Sequence, residues 1–185
     1  MKDNIVSVRL WGQEICLLEW KGGYRRGFGK IGSKVSFNRD YHTLGFDVDP
    51  VGPYRRSMYF VRAGMTDILR ATENEGLPRF LIGSLPDDWG NKVFASWVKS
   101  RKIKSSDITA VDKLSFIGNR GMGGFEFVPQ QYQPDADDAV DIEELYRLSK
   151  EIEATREAAE LNLQDRPGIK DLMAVGMSAG GKHPK

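Results

Sequence analysis

Apolar residues recur at intervals of two near the start of the chain, and at intervals of three and four from about residue 87 onward. The first spacing is that of half-buried strands, the second that of helices packed by one face. Ile5, Val6, Val8 and Leu10 with Trp11 form a first β-rich run, Gly12-Gln13 a short turn, and Ile15 to Trp20 a second run. Lys21-Gly22-Gly23 predicts another turn, and Tyr24 to Ile31 a third, more polar strand carrying Phe28 and Ile31. Val35 to Phe37 and Met58 to Val61 are short strand candidates. Between them Asp47 to Pro53, with two prolines and a glycine, predicts a loop.

Helices follow. Pro86 with Asp87 and Asp88 marks a helix start, because carboxylates in the first turn accept free N–H groups and suit the positive end of the dipole. Trp89, Val93 and Trp97, with Phe94 and Val98 beside them, are the expected buried stripe, and Lys99, Arg101 and Lys102 suit the C-terminal end. Thr109-x-x-Asp112 predicts a capping box for a second helix carrying Val111, Leu114 and Ile117. That helix should stop at Gly118. Gly121 to Gly124 then lead into a strand, Phe125 to Val128, ended by Pro129. From Asp141 to about Leu163 the stripe Ile142, Leu145, Leu148 and Ile152 opposes an acidic face, which predicts a long amphipathic helix broken at Arg166-Pro167-Gly168. Residues 169–175 add one or two helical turns.

Composition narrows this picture without redirecting it. Of 185 residues, 40% are hydrophobic and 10% aromatic, enough for a packed core and too many for a disordered chain. The single Cys16 excludes an intramolecular disulfide framework and, lying in an apolar run, reads as core packing. A polar N-terminus without a signal-peptide pattern, and apolar runs far short of a span, predict a soluble cytoplasmic protein with no membrane partner. Charge is unevenly spread. Residues 1–120 carry 20 Lys and Arg against 13 Asp and Glu, a net of +7, and residues 121–185 carry 7 against 13, a net of −6. Arg25-Arg26 beside Tyr24 and Phe28 has the composition of a nucleic-acid patch, but a pI near 7.8 favours the solvated outer face of a curled sheet.

Candidate chemistry is concentrated in glycines. The run from Gly118 to Gly124, with Arg120, has the order helix, glycines, strand, whereas a phosphate cradle uses strand, glycines, helix, so a helix cap and tight turn account for it. At the other candidate, Ser178, Gly180, Gly181, Lys182 and Lys185 bring a hydroxyl, two flexible residues and two cations into one short stretch. Glycine turns of this kind aim several backbone N–H groups at one anion, although neither the Walker spacing nor a dinucleotide fingerprint is present. Neither His42 nor His183 has a base-and-nucleophile arrangement around it, and no metal-ligand cluster is visible.

Two segments, LPDDWGNKVFASWVKSR from Leu85 and VDKLSFIGNRGMGGFEFVP from Val111, resemble the N-terminal region of the HipA-family toxin kinases. The pattern is a leucine-proline-acid helix start, a short helix, and a glycine turn into an apolar strand ended by proline. Leu85, Pro86, Asp87, Gly118, Gly123 or Gly124, Phe125 and Pro129 match it, and the Trp11-Gly12 turn is in the family's style. The tail, Ser178-Ala179-Gly180-Gly181-Lys182-His183-Pro184-Lys185, is similar in order and length to the family's serine and following glycine-rich loop. The resemblance runs from about residue 5 to 185.

This resemblance implies an α+β protein. Residues 1–130 would form a HipA N-terminal-like domain, a small curled antiparallel sheet with packed helices. Residues 131–140 would be a linker, and residues 141–185 a helical segment and glycine-rich loop at the start of a kinase-like lobe. It also implies a serine/threonine kinase using ATP and Mg, with a translation factor such as glutamyl-tRNA synthetase as the type of target and a DNA-binding antitoxin as partner. Ser178 matches the autophosphorylated serine, and Gly180 to Lys185 the loop over the nucleotide phosphates. Phosphoryl transfer also needs a strand lysine, a catalytic aspartate and a metal-binding Asp/Asn pair. In the family these lie beyond the loop, so the 185-residue chain is expected to be inactive by itself and to hold no cofactor. The expected function is the N-terminal regulatory part of such a kinase, contacting antitoxin, kinase core or a second copy, with nucleic acid reached only indirectly. Two alternatives are a stand-alone antitoxin-like subunit that restrains or completes a separate kinase, and a basic β-sheet nucleic-acid-binding module.

Overall fold

The computed structural model describes residues 5–49, 52, 64–121, 123–131, 143, 146, 147 and 150; for His42, Trp89, Ser96 and Ser100 only the backbone is described. Six strands form one antiparallel sheet: β1 (Ile5–Leu10), β2 (Gln13–Trp20), β3 (Tyr24–Arg25), β4 (Gly29–Phe37), β5 (Thr66–Arg70) and β6 (Phe125–Val128). Among the described residues the continuous helices are α1 (Asp88–Ser100) and α2 (Ala110–Ile117), with short 3-10 turns at Tyr41–Thr43, Asn74–Gly76, Arg79–Ser84 and Ser105–Asp107, an α+β architecture. Pairing runs in the order β3-β4-β2-β1-β6, with β5 also on β4. Among the described residues no helix is long and apolar enough to cross a membrane.

Local chemistry accounts for each connection. The β1–β2 hairpin turns on Trp11 and Gly12, both left-handed at φ 51° and 76°, which is the two-residue loop whose twist matches the flanking strands. Val8 pairs with Cys16 and Arg9 with Glu14, so Ile15 is an extra residue bulged out of the ladder. The bulge explains why Ile15 and Cys16 are both fully buried although they are adjacent in sequence. The expected third strand over residues 24–31 is corrected. The chain reverses at residues 26–28, where the Phe28 N–H donates to the Arg25 carbonyl at 3.0 Å, and Gly29 begins a new strand that also absorbs Val35 to Phe37. Trp20 pairs with Ser33 and Tyr24 with Lys30, a register change of one residue, so β3 prolongs β2 past a bulge at residues 21–23. β5 lies on the opposite edge of β4 and was not anticipated; its two apolar residues, Ile68 and Leu69, give too short an alternation to register in sequence. The Met58 to Val61 candidate lies outside the described residues.

The first two helices form where expected. Asp87 caps α1 by accepting from the Gly90 N–H at 2.8 Å. At α2 the Thr109 hydroxyl accepts from the Asp112 N–H at 3.3 Å, while the Asp112 carboxylate accepts from the Thr109 N–H at 2.8 Å, a complete capping box. Val6, Val8, Leu10, Cys16, Leu18, Val35, Phe37 and Phe127 make the inner sheet face of the core. Against it lies α2, of which every residue except Lys113 is buried. The amphipathic α1 closes the outside of that core with Val93, Phe94, Trp97 and Val98, and the Trp97 ring lies 4.9 Å from Phe116 of α2 and 5.9 Å from Phe94. The core is therefore sheet, central helix and covering helix. Ser115 of α2 fastens the exit of β6, its hydroxyl donating to the Pro129 carbonyl at 3.0 Å while its own carbonyl accepts from Gln131 N–H at 2.9 Å.

Candidate interaction surfaces

Ser178, Gly180, Gly181, Lys182 and Lys185 lie outside the described residues, as do residues 132–142 and 151–185 of the expected linker and helical segment. Within that segment Glu143, Tyr146, Arg147 and Lys150 are helical and exposed, at the i, i+3, i+4, i+7 spacing of one helix face. Among the described residues no group of three or more His, Cys, Asp or Glu side chains could hold a metal ion. Cys16 is no nucleophile: burial, reinforced by the Glu14 carboxylate, pushes its thiol far above the ordinary range.

The glycine run after α2 has a structural role. Gly118 caps the helix at φ 59°, its N–H donating to the Leu114 carbonyl at 3.0 Å, and its carbonyl accepts from Phe127 of β6 at 3.1 Å. A Cβ there would collide with the Gln130 side chain at 2.3 Å. Arg120, a conceivable anion ligand, turns its guanidinium back to the Phe116 carbonyl and over the Phe116 ring, 5.0 Å from its centroid. The cap reading therefore holds at Gly118.

Two surfaces remain. On the outer face of the sheet, away from the helices, one cross-strand row runs Val128, Ser7, Leu17, Ser36 and Thr66. Ile5 stands two residues from Ser7 on the same face. Ile5, Leu17 and Val128, with 47%, 40% and 39% of their surface exposed, thus surround the small Ser7, whose hydroxyl donates to Glu14 at 2.8 Å. An outer face of an antiparallel sheet is ordinarily polar, so three aliphatic residues grouped around Ser7 form a small exposed aliphatic patch. Sequence reading missed it, because Ile15 to Leu18 looks like one uninterrupted apolar run. Only the bulge at Ile15 reveals that Leu17 points away from Cys16 and Leu18.

The second surface is the β3–β4 hairpin. It extends beyond the last described β1 pair, Ile5 with Glu19, and carries Tyr24, 77% exposed, with Arg25, Arg26 and Lys30. Trp11 is a further exposed aromatic at the other end of β1, held edge-on to Phe46 at 4.9 Å between centroids.

No protein-family model, curated protein or solved structure matches the chain.

Proposed function

We propose that this chain is the N-terminal, non-catalytic interaction part of a HipA-like serine/threonine kinase, and that its outer sheet face docks against the kinase core. The observation that carries the reading is the Ile5, Leu17 and Val128 patch on a sheet whose other face is already filled. Position supports the choice of occupant. Val128 is the last residue of β6, so whatever follows β6 in the chain starts from the rim of the patch. Covering it removes three branched side chains from water, each contributing up to about 1 kcal/mol for the exposed fraction still to be buried. The glycine-rich stretch with Gly180, Gly181, Lys182 and Lys185 would then cover the nucleotide phosphates of ATP and Mg held by that core, and Ser178 would be its phosphorylation site. Phosphate on Ser178 would add about −1.5 to −2 charges beside the nucleotide and switch the kinase off.

Co-expression with a HipA-like catalytic core tests this. The wild-type chain is expected to co-purify as a stoichiometric complex, and Leu17→Glu with Val128→Glu to abolish the complex while the isolated chain still unfolds cooperatively in urea. Incubated with Mg-ATP, the 185-residue chain is expected to transfer no phosphate, and the complex to acquire phosphate on Ser178. A complex indifferent to both glutamates, or one captured only by a DNA-binding antitoxin, refutes the docking assignment.

A further inference from the structure

We propose that the β3–β4 hairpin is a binding site for single-stranded nucleic acid, with Tyr24 as a base-stacking platform and Arg25, Arg26 and Lys30 as phosphate ligands. From Trp20 to Arg39 the sequence has six cations and no carboxylate. Four of the six, Lys21, Arg25, Arg26 and Lys30, lie on the hairpin or at its base. Lys21 is ion-paired to Glu19, and Arg70, reaching across from β5, pairs with Glu73 at 3.2 Å while its guanidinium caps the Phe28 ring at 5.1 Å. Glu19 and Glu73 thereby have cationic partners outside the hairpin. Arg25, Arg26 and Lys30 are exposed and make no ion pair among the described residues.

Geometry adds the aromatic element. Tyr24 is directly opposite Lys30 across the ladder, so ring and ammonium share one face of the hairpin. The Ile31 N–H donates to the Gly23 carbonyl at 2.9 Å and the Ala71 N–H to the Lys30 carbonyl at 2.9 Å, which anchors the base of the arm on both edges. Its tip is a backbone turn with two arginines. A solvent-facing ring beside unpaired cations suits bases whose faces are free, because stacking needs an unstacked base while phosphates need only charge. This favours a single strand over a duplex, and over an acidic peptide, which would gain nothing from the ring. The site uses none of the outer-face patch residues and stands independently of the kinase reading.

Fluorescence anisotropy with a labelled twelve-residue oligothymidylate and with oligouridylate, between 50 and 200 mM KCl, tests the assignment on the full chain. With three phosphate contacts, log K against log salt should have a slope of about −2. Arg25→Ala with Arg26→Ala should bring the slope to about −0.7. Tyr24→Ala should weaken binding about tenfold, and Tyr24→Phe should leave it within twofold, since stacking needs the ring and not the hydroxyl. All four positions are exposed, and an unchanged urea midpoint confirms folding; Arg26→Gln, read by the same salt slope, replaces the double variant if that one unfolds. Absence of saturable binding below about 100 μM at 50 mM KCl overturns the proposal. So does binding that ignores Tyr24→Ala, or that polyglutamate displaces as well as an unlabelled oligonucleotide does.

Discussion

Truncating Trp97 probes the join between the two helices on which the packed face of the sheet depends. The ring is 4% exposed and forms a triangle with Phe94 and Phe116, 5.9 and 4.9 Å away between centroids and 5.1 Å from each other, with the Arg101 guanidinium 5.6 Å above it. A buried aromatic removes about 200 Å² from water, or about 5 kcal/mol at about 25 cal/mol per Å². Residual burial in the unfolded chain lowers that figure by about a quarter, and the cavity left among rigid rings raises it again. Trp97→Ala is therefore expected to cost about 3–5 kcal/mol, a large part of the stability of an ordinary domain. Trp97→Phe retains the ring contacts and should cost about 1–2 kcal/mol. Urea unfolding followed by far-UV circular dichroism reads the difference without relying on the fluorophore being removed. At a slope of about 2 kcal/mol per M, the alanine midpoint should fall by about 2 M. The exposed Leu17 supplies the internal control: Leu17→Ala should cost less than about 1 kcal/mol because much of that side chain is already in water. A Trp97→Ala loss below about 1 kcal/mol, or one no larger than that of Leu17→Ala, would refute the division of the sheet into a packed inner face and a solvent-facing outer one.

Two further outcomes follow from buried groups and caps. Burial first, and the Asp47 carboxylate second, raise the Tyr41 phenol, as burial raises the Cys16 thiol, so the folded chain keeps both protons where the unfolded chain loses them. The contribution of these two groups to stability should thus be flat below the unfolded thiol value, about pH 8.5, and fall above it by about 1.4 kcal/mol per pH unit, with a second equal slope from about pH 10. Cys16→Ala should remove the first slope and Tyr41→Phe the second, measured as urea midpoints between pH 7 and 11; a profile unchanged by either substitution contradicts the burial argument. At α2, Thr109→Ala leaves the Asp112 N–H without its cap and should cost about 1–2 kcal/mol, whereas Thr109→Ser should restore most of it in the same denaturation assay.

Local signals were sufficient for much of the molecule, for reasons visible in particular residues. Asp87, Thr109 and Asp112 act within three positions of themselves, so both helix starts are legible without tertiary information. Gly12 and Gly118 likewise declare a turn and a cap through their own backbone. The burial of Val93, Phe94, Trp97 and Val98 on α1 follows from spacing alone, and so do the burial of Cys16 and the strand from Phe125 to Val128. By contrast, the division of residues 24–31 into two strands depends on where Phe28 finds its hydrogen-bond partner, and β5 exists because β4 offers it an edge.

The candidate surfaces divide in the same way. Composition already marked Tyr24, Arg25 and Arg26, since charge and aromaticity are properties of residues. Which cations remain unpaired is settled by Glu19 and Glu73 taking Lys21 and Arg70. The aliphatic patch was hidden altogether, because strand alternation assigns Leu17 to a face only once the register is known, and one extra residue at Ile15 reverses that assignment. The sequence by itself therefore determined element type, caps and charge, each governed by interactions among near neighbours. Tertiary structure alone decided register, facing and pairing, because these depend on contacts between residues far apart in the chain.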